Sequence, residues 1–348
     1  MGDKVKVAII GAGNISNSHI DGWQKSGLAE ICGIVDIDIT RAREKAEKWS
    51  CNCGTYSSIQ ALREDVQPDI MDICTPEHVH KEPALEALES GAAVFSEKIL
   101  ADSLSSGYAM VTRAREMGSW TAINYNYHFF PGVRALKEAI EDKRRGSLKI
   151  LQCICHSFCF HHVLELLLWM CGQPISVESQ GVQRDWSPEI SRIFRIAPEL
   201  IYIPGKAFTG RIEFENGVVC SITSSLYPSL SCLPFHFIAV FDSGEVMELS
   251  GLDWGKNMVG RCSWLPDGEN LSIQPDVERT NQISFRGSIK SVAERWLAKL
   301  PPESSWEAGW DVMVLDHALL KAGQLEKRIQ MAPFRRELEE KLEEGEGK

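Results

Sequence analysis

The sequence lacks any long apolar run. No stretch approaches the roughly 20 apolar residues that a membrane helix needs, and the opening MGDKVKVAIIGAG is too short in apolar residues for a secretory signal. It also lacks a basic excess: 37 lysines and arginines face 48 aspartates and glutamates, a net charge of −11. Nucleic acid and anionic membrane are therefore not expected as main partners. Internal repeats and low-complexity linkers are missing too. Cysteine is not scarce, at eleven, but Cys51 and Cys53 form a C-x-C pair with no second pair at zinc-finger spacing, so no metal is expected there. The thiols are scattered and often lie in apolar runs such as MDICTP, which fits small buried hydrophobes in a reducing compartment. A cytoplasmic location is expected.

What is present is an ordinary globular composition, 44% apolar and 24% charged over 348 residues, enough for two domains at about 150 residues each. In the first half, short β-branched runs alternate with helical patterns. KVAII, AEICGIVD, DIMDICT, AAVFSEK and SWTAINYN read as strands. Asn14 to Ser26, Thr40 to Trp49, Ser58 to Glu64, Glu82 to Ser90 and Ser103 to Met117 read as helices. This alternation predicts an α/β domain, a doubly wound parallel sheet of the Rossmann type covered on both faces.

The first turn, Gly11-Ala-Gly13-Asn14-Ile15-Ser16, follows a strand and opens a helix. Gly11 permits the tight turn, Gly13 lets backbone approach a pyrophosphate, and Ser16 is small enough for close packing. The free N–H groups of the helix start would face the phosphates. Asp36 ends the second strand 23 residues after Gly13, where a carboxylate accepts hydrogen bonds from both ribose hydroxyls and repels a 2′-phosphate. NAD is the expected cofactor, and Arg41 and Arg43 nearby leave NADP open.

The stretch T75-P-E-H-V-H-K, the pair Glu97-Lys98, the opening VAIIGAGNISNSHI and the later NYNYHFFPGVRALKEAI together resemble the glucose-fructose oxidoreductase, inositol dehydrogenase and MocA family. The resemblance runs from about Lys4 to Met331. It implies a Rossmann domain followed by an α+β domain with a large, mainly antiparallel open sheet that binds substrate and builds a homodimer or homotetramer. It also implies redox chemistry on sugars or polyols. Lys98, at the carboxyl edge of the sheet, would bond a substrate hydroxyl or polarise a carbonyl during hydride transfer. Glu97 would orient the lysine or contact the nicotinamide ribose, and Thr75, Pro76 and His80 would complete the cofactor set with Gly11, Gly13, Asn14, Ile15 and Asp36.

Two departures stand out against that pattern. Ile99 replaces the family's proline after the lysine, and His128 replaces an arginine in Y-x-x-R-x-x-P, losing a forked permanent charge.

Residues 153 to 162 read CICHSFCFHH, three cysteines and three histidines in ten positions. As a metal site, Cys153 and Cys155 would share a strand face with His156, Cys159 and His161 following. Buried thiols are the default, and no metal is expected. In the family, H-x-x-D-x-x-x-W-x-x-G occurs here, so His162 takes the catalytic or substrate-binding place, with Glu165, Trp169 and Gly172 at the matching steps. Leu164, Leu167, Leu168 and Cys171 would give that helix a buried stripe. The family's aspartate four residues before the histidine is replaced by Phe158, and the loop leading to His162 is short.

After Gly172 strands dominate: ISVESQGV, FTGRIEFENGVVCSITSSL, HFIAVFDSGEVMELSG and LSIQPD, with hairpin signals at E-N-G-V and D-S-G-E. Asp185 to Pro204 is irregular, and Arg184, Arg192 and Arg195 are places to look for substrate contacts, although solvated surface arginines are the simpler reading. Ser284 to Leu300 and Trp306 to Arg328 read as helices. The expected domains are residues 1–124, 125–334 and a charged tail, 335–348. An NAD(P)-dependent sugar or polyol oxidoreductase with Lys98 and His162 as catalytic residues is the favoured function. A cofactor-binding regulator without turnover and an NAD-retaining glycosidase are the alternatives.

Overall fold

The computed structural model describes residues 4–181, 195–201, 207–225, 235–252, 258–265, 270–272 and 280–346. The chain divides into two compact units: residues 1–126, 194–196 and 284–310 form one, and 127–193, 197–283 and 311–348 the other.

In the first unit, β1 (Val5–Ile10), β2 (Ala29–Val35), β3 (Gly54–Tyr56), β4 (Ile70–Ile73), β5 (Ala93–Ser96) and β6 (Thr121–Ile123) form a sheet in the order β3-β2-β1-β4-β5-β6. Every pairing in it is parallel. The connecting helices are α1 (Ser16–Ser26), α2 (Ile39–Lys48), α3 (Ile59–Asp65), α4 (Lys81–Glu89) and α5 (Leu104–Met117). Three of these helices start where a side chain can accept an orphan N–H: Asp38, Ser58 and Ser103 each bond a backbone N–H of the first turn. Gly27 and Gly118, both left-handed, end α1 and α5. The strands are apolar on both sides because helices cover both faces: all of β4 and β5 is buried. The strand order reverses between β1 and β4, the switch point where open α/β sheets bind ligands.

The fold is thus the α/β class that the alternation predicts, with one short strand, β3, that the sequence pattern does not reveal. The boundary expected at 124/125 falls at 126/127, and a larger correction follows it. Helix α8 (Thr280–Leu297), expected in the second domain, joins the first unit from Ser284 onward. Its apolar side, Ile289, Val292 and Ala293, packs into the same core as Ile20 and Trp23.

The second unit contains α6 (Pro131–Glu141), β7 (Leu148–His156), α7 (Phe160–Cys171), β8 (Pro174–Gln180), β9 (Ala207–Phe214), β10 (Val219–Ser225), β11 (Phe235–Phe241), β12 (Val246–Leu252), β13 (Met258–Leu265) and β14 (Asn270–Ser272). The division between the units falls within α9 (Trp306–Leu325). Strand β15 (Ile329–Gln330) and α10 (Met331–Glu346) complete the second unit. Among the described residues its sheet has nine strands, ordered β14-β13-β12-β11-β7-β10-β9-β8-β15. It is mainly antiparallel, as expected, but β7 and β10 at its centre pair in parallel. Helix α6 starts with Pro131 in its first turn, where the missing N–H costs nothing. Helix α7 differs from its expected single stripe: every residue from Phe160 to Leu167 is buried, so it is a core helix covered all round. The charged tail is helical to Glu346, anchored by Arg335, whose guanidinium pairs with Asp311 and Glu339. Arg184 and Arg192 lie outside the described residues, and Arg195 is exposed. No helix among the described residues is long and apolar enough to cross a membrane.

Candidate active site

The glycine turn stands at the switch point. Gly11 has φ +101°, and a side chain there would meet the Cys74 carbonyl at 2.9 Å, so both backbone conformation and the approach of the β4 exit demand glycine. Gly11 N donates to Val35 O at 2.7 Å and Cys74 N to Ile10 O at 2.7 Å, which ties the ends of β1, β2 and β4 together. Gly13 is different. A methyl at that position would meet only Arg41 Nη2, at 3.9 Å, so packing within the protein does not require glycine. Helix α1 begins at Ser16 after Asn14 and Ile15, with no side-chain cap and no acidic residue in its first turn. Its start is therefore open to an anion.

Asp36 ends β2 as expected, but its carboxylate also has a local task. Oδ2 accepts from Ala12 N at 2.8 Å and Oδ1 from Asp38 N at 3.0 Å, while Arg41 Nη1 lies 3.7 Å from Oδ1. Each oxygen keeps a lone pair for a hydroxyl. Lys45 Nζ donates to Gly13 O at 2.8 Å and Asn17 Oδ1 at 3.0 Å, bracing the turn from below. Burial, followed by the charge of Lys48, lowers the proton affinity of Lys45.

Behind the turn lies a network that the sequence pattern did not reveal. His19, on the buried side of α1, places Nδ1 2.8 Å from Asp72 Oδ2 and Nε2 2.8 Å from Glu97 Oε1. Trp23 Nε1 donates to Asp72 Oδ2 at 2.6 Å, and Asn124 Nδ2 to Glu97 Oε1 at 2.6 Å. Ser288 Oγ, from α8, donates to Asn124 Oδ1 at 2.7 Å. Burial opposes charge on His19, but the charge and hydrogen bond of Asp72, with Cys74, outweigh it, so the ring's pKa lies well above its usual value. Burial likewise pushes Glu97 up. His19 first, then Lys98 and Asn124, overcome that and bring Glu97 below the usual carboxylate range. Cys74, buried beside Asp72, is pushed up to about 12 and stays a thiol. His19, Asp72 and Cys74 have ligand atoms within 4.8 Å of one another, yet both imidazole nitrogens are already committed to carboxylates.

The signal for this network was present. His19 sits at helical spacing with Ser16, Ile20 and Trp23 on a buried face, and Asp72 interrupts an otherwise apolar buried strand. A polar group in either place needs a partner.

Of the expected cofactor set, Thr75 and Pro76 follow β4 as predicted. His80 requires correction: its ring nitrogens lie 2.9 Å from Ile99 O and 2.8 Å from Thr75 O, and it is buried. It braces the β4 exit against the chain after Lys98, and this leaves neither nitrogen for a cofactor. Lys98 is half-buried immediately after β5, and the Lys98–Ile99 peptide is cis.

In the second unit, His128 and Glu165 meet each other. His128 Nε2 lies 2.7 Å from Glu165 Oε2, both are buried, and the His128 ring stacks on Trp169 at 4.1 Å. His162, in the first turn of α7, stacks face to face on Tyr127 with centroids 3.8 Å apart. Phe158, in the place of the family's aspartate, stacks on His156 at 5.0 Å. The remaining members of CICHSFCFHH disperse: Cys153, Cys155 and Cys159 are buried thiols, and His161 Nε2 lies 3.4 Å from Asp316 Oδ2. Among the described residues, no three of these groups come within metal-ligand spacing.

Residues 5–125 match the family model described as an oxidoreductase family with an NAD-binding Rossmann fold, GFO_IDH_MocA. The match is confined to that domain, about a third of the chain. The D-glucoside 3-dehydrogenase of Escherichia coli (strain K12) is 24% identical over 246 residues, 64% of this chain and 70% of that protein. The 2,7-anhydro-N-acetylneuraminate hydratase of Mediterraneibacter gnavus is 32% identical over 149 residues, 43% of this chain and 38% of that protein. An oxidoreductase from Agrobacterium radiobacter, solved with NAD+, L-tartaric acid and magnesium, superposes with a TM-score of 0.80 at 16% identity. That likeness covers 95% of this chain and 99% of the other, and extends the shared fold into the second unit. The model matched by residues 5–125 is NAD-binding, which makes NAD the cofactor class of the first unit. The open space over Gly13 and the uncapped start of α1 fit a pyrophosphate.

Proposed function

We propose that the protein is an NAD-dependent oxidoreductase acting on a sugar, polyol or related hydroxyl or keto compound. Lys98 serves as the proton donor or acceptor and His162 assists. The observation that carries this reading is the position of Lys98: it follows the carboxyl end of β5, one strand from the switch point, next to a Glu97 carboxylate held by His19 and Asn124. Nicotinamide, when bound, supplies or accepts the hydride. In the reduction direction Lys98 gives its proton to the forming alkoxide; in oxidation it takes the hydroxyl proton as the carbonyl forms. Glu97 supplies the negative charge that favours the ammonium form of Lys98. Gly11, Gly13, Asn14 and Ile15 shape the phosphate cradle, Asp36 receives the adenosine ribose, and Thr75 and Pro76 line the nicotinamide end.

Substrate recognition belongs to the second unit. His128, in place of the family's arginine, is held by Glu165, and His162, at the family's histidine position, by the Tyr127 ring, so each imidazole has a fixed plane. This amounts to an altered and shortened version of the catalytic segment. The open sheet supports a homodimer or homotetramer, and the free thiols Cys32, Cys51, Cys53, Cys74, Cys153, Cys155, Cys159, Cys171 and Cys220 support a cytoplasmic setting.

The test is NADH absorbance after mixing the protein with NAD and a panel of sugars, polyols and sugar acids, with Lys98→Ala alongside. Turnover that falls by about 10²–10⁴-fold in the variant is the expected result. Normal turnover in Lys98→Ala would remove the lysine from its role. The hydratase name of one relative favours a second reading, in which cofactor is reduced and reoxidised within one cycle. Substrate conversion or glycoside cleavage without net NADH is its signature. Tight NADH binding with no chemistry on any compound would instead point to a regulator.

A further inference from the structure

His19 belongs to no expected site, yet donor and acceptor accounting gives it a defined state. A carboxylate accepts and does not donate. Asp72 Oδ2 already receives the Trp23 N–H at 2.6 Å, and the Cys74 thiol lies 3.6 Å from Oδ1, so both oxygens act as acceptors and His19 Nδ1 donates to them. On the other side, the Asn124 amide turns its carbonyl to Ser288 Oγ and its NH₂ to Glu97 Oε1. Glu97 Oε1 therefore receives Asn124 Nδ2 at 2.6 Å and His19 Nε2 at 2.8 Å. With both ring nitrogens donating, the imidazole is a cation. Asn124 Nδ2 and His19 Nε2 stand 3.4 Å apart because they converge on one oxygen.

We propose that His19 is a positioning residue, a buried imidazolium that holds the Glu97 carboxylate ionised and aimed beside Lys98. The inference rests on the oxidoreductase reading above. The groups facing His19 are Asp72 from β4, Cys74 just after it, Glu97 after β5, Asn124 after β6, Trp23 on its own helix, and the rings of Phe95 and Phe285. The charges of Asp72, His19, Glu97 and Lys98 then sum to zero, which makes a row of four ionisable groups, three of them buried, tolerable. Without the cation, a buried Glu97 binds a proton near neutral pH, as isolated buried carboxyls do. The carboxylate beside Lys98 would be lost, and with it the charge that keeps the lysine protonated.

The experiment compares wild type, His19→Gln and the double variant His19→Gln/Glu97→Gln. For each, kcat/KM and the NADH dissociation constant are followed between about pH 5.5 and pH 8.5. The wild type should show level NADH affinity. H19Q should weaken by about tenfold or more toward acid and recover toward alkali. The double variant, with an amide that does not titrate, should be level again. A level H19Q profile, or an acid loss that persists in the double variant, overturns the proposal, since a merely structural role lowers affinity at every pH alike. The affinity measurement needs no substrate, so absence of turnover in the wild type defeats the oxidoreductase reading while the profiles still decide on His19. If H19Q does not fold, the ¹⁵N spectrum of the wild-type histidine rings decides instead. Two ring N–H protons on His19 near pH 7.5 support the proposal, and a neutral tautomer overturns it.

Discussion

Two glycines two residues apart, Gly11 and Gly13, do different work, and substitution separates them. Gly11→Ala forces a Cβ onto a backbone at φ +101° and against the Cys74 carbonyl, where neither side can yield. It should destabilise the protein by about 2–4 kcal/mol and abolish NADH binding. Gly13→Ala meets only Arg41 Nη2 at 3.9 Å, so melting temperature should stay within a degree or two of wild type, about the size of a neutral surface change. NADH affinity should nevertheless fall, because the methyl occupies the space through which pyrophosphate approaches. Calorimetry and fluorescence titration on the same two samples check this, and a Gly13→Ala protein with normal affinity would remove the turn from the cofactor site. His19 and Glu97 set a pH dependence of stability. His19 is raised in the fold, so its contribution is complete below its ordinary value of 6.5 and is lost as pH rises from there through the raised value. Glu97 is lowered, so its contribution is present above its ordinary value of 4.5 and is lost as pH falls below it through the lowered value. Denaturation midpoints should therefore decline on both sides, and His19→Gln should flatten the alkaline decline. An unchanged alkaline decline in that variant would place its cause elsewhere.

At the scale of elements, the path of α8 explains why the first unit is not a contiguous segment. Gly22 on α1 faces Ile289 on α8, where an added methyl would overlap Ile289 Cδ1 and lie 3.2 Å from its Cβ. Gly22→Ala should cost about 1–3 kcal/mol through overpacking, and Ile289→Val, which removes Cδ1, should recover part of that loss in the double variant. Strict additivity in a double-mutant cycle would mean that the two helices do not meet at this point. The sequence made the local elements of this unit legible because each rests on nearby signals: β-branched runs, Ser and Asp caps, a glycine after a helix. The return of α8 was not legible, since its apolar residues report only that it is buried and not against what. The same limit hid the parallel pairing of β7 with β10, which joins strands separated by α7, β8 and β9 and has no turn signature. The place of the glycine turn after β1 and of Lys98 after β5 was readable from motif spacing. His80 was misassigned because its two backbone carbonyl partners, Thr75 and Ile99, are set by loop geometry. The His19 network was missed because its members come from α1, β4, β5, β6 and α8, and only their burial makes them partners.

At the scale of the whole molecule, the open sheet of the second unit has an unfinished face. Along β7 buried and exposed residues alternate: Leu151, Cys153 and Cys155 are buried, whereas Ile150 and Ile154 are 42% and 40% exposed. On the neighbouring β11, His236, Ile238 and Val240 lie half-buried on the same alternation, opposite Ile154, Gln152 and Ile150. Large aliphatic side chains at the centre of a broad sheet are unusual facing water, and a second copy offering the same face would bury them around a two-fold axis. The net charge of −11 opposes such pairing at low salt, so an apolar contact at the centre of the sheet is what association would rest on. Ile150→Glu/Ile154→Glu places two carboxylates from each copy in that contact. Light scattering after size exclusion should then show an oligomer for the wild type, unchanged or tighter at high salt as repulsion is screened, and a monomer for the variant. The variant should keep its circular dichroism and NADH affinity, because both positions point away from the buried side of the sheet and lie in the unit that does not carry the glycine turn. A wild-type monomer at micromolar concentration, or an oligomer indifferent to both substitutions, would assign the exposed isoleucines to some other contact.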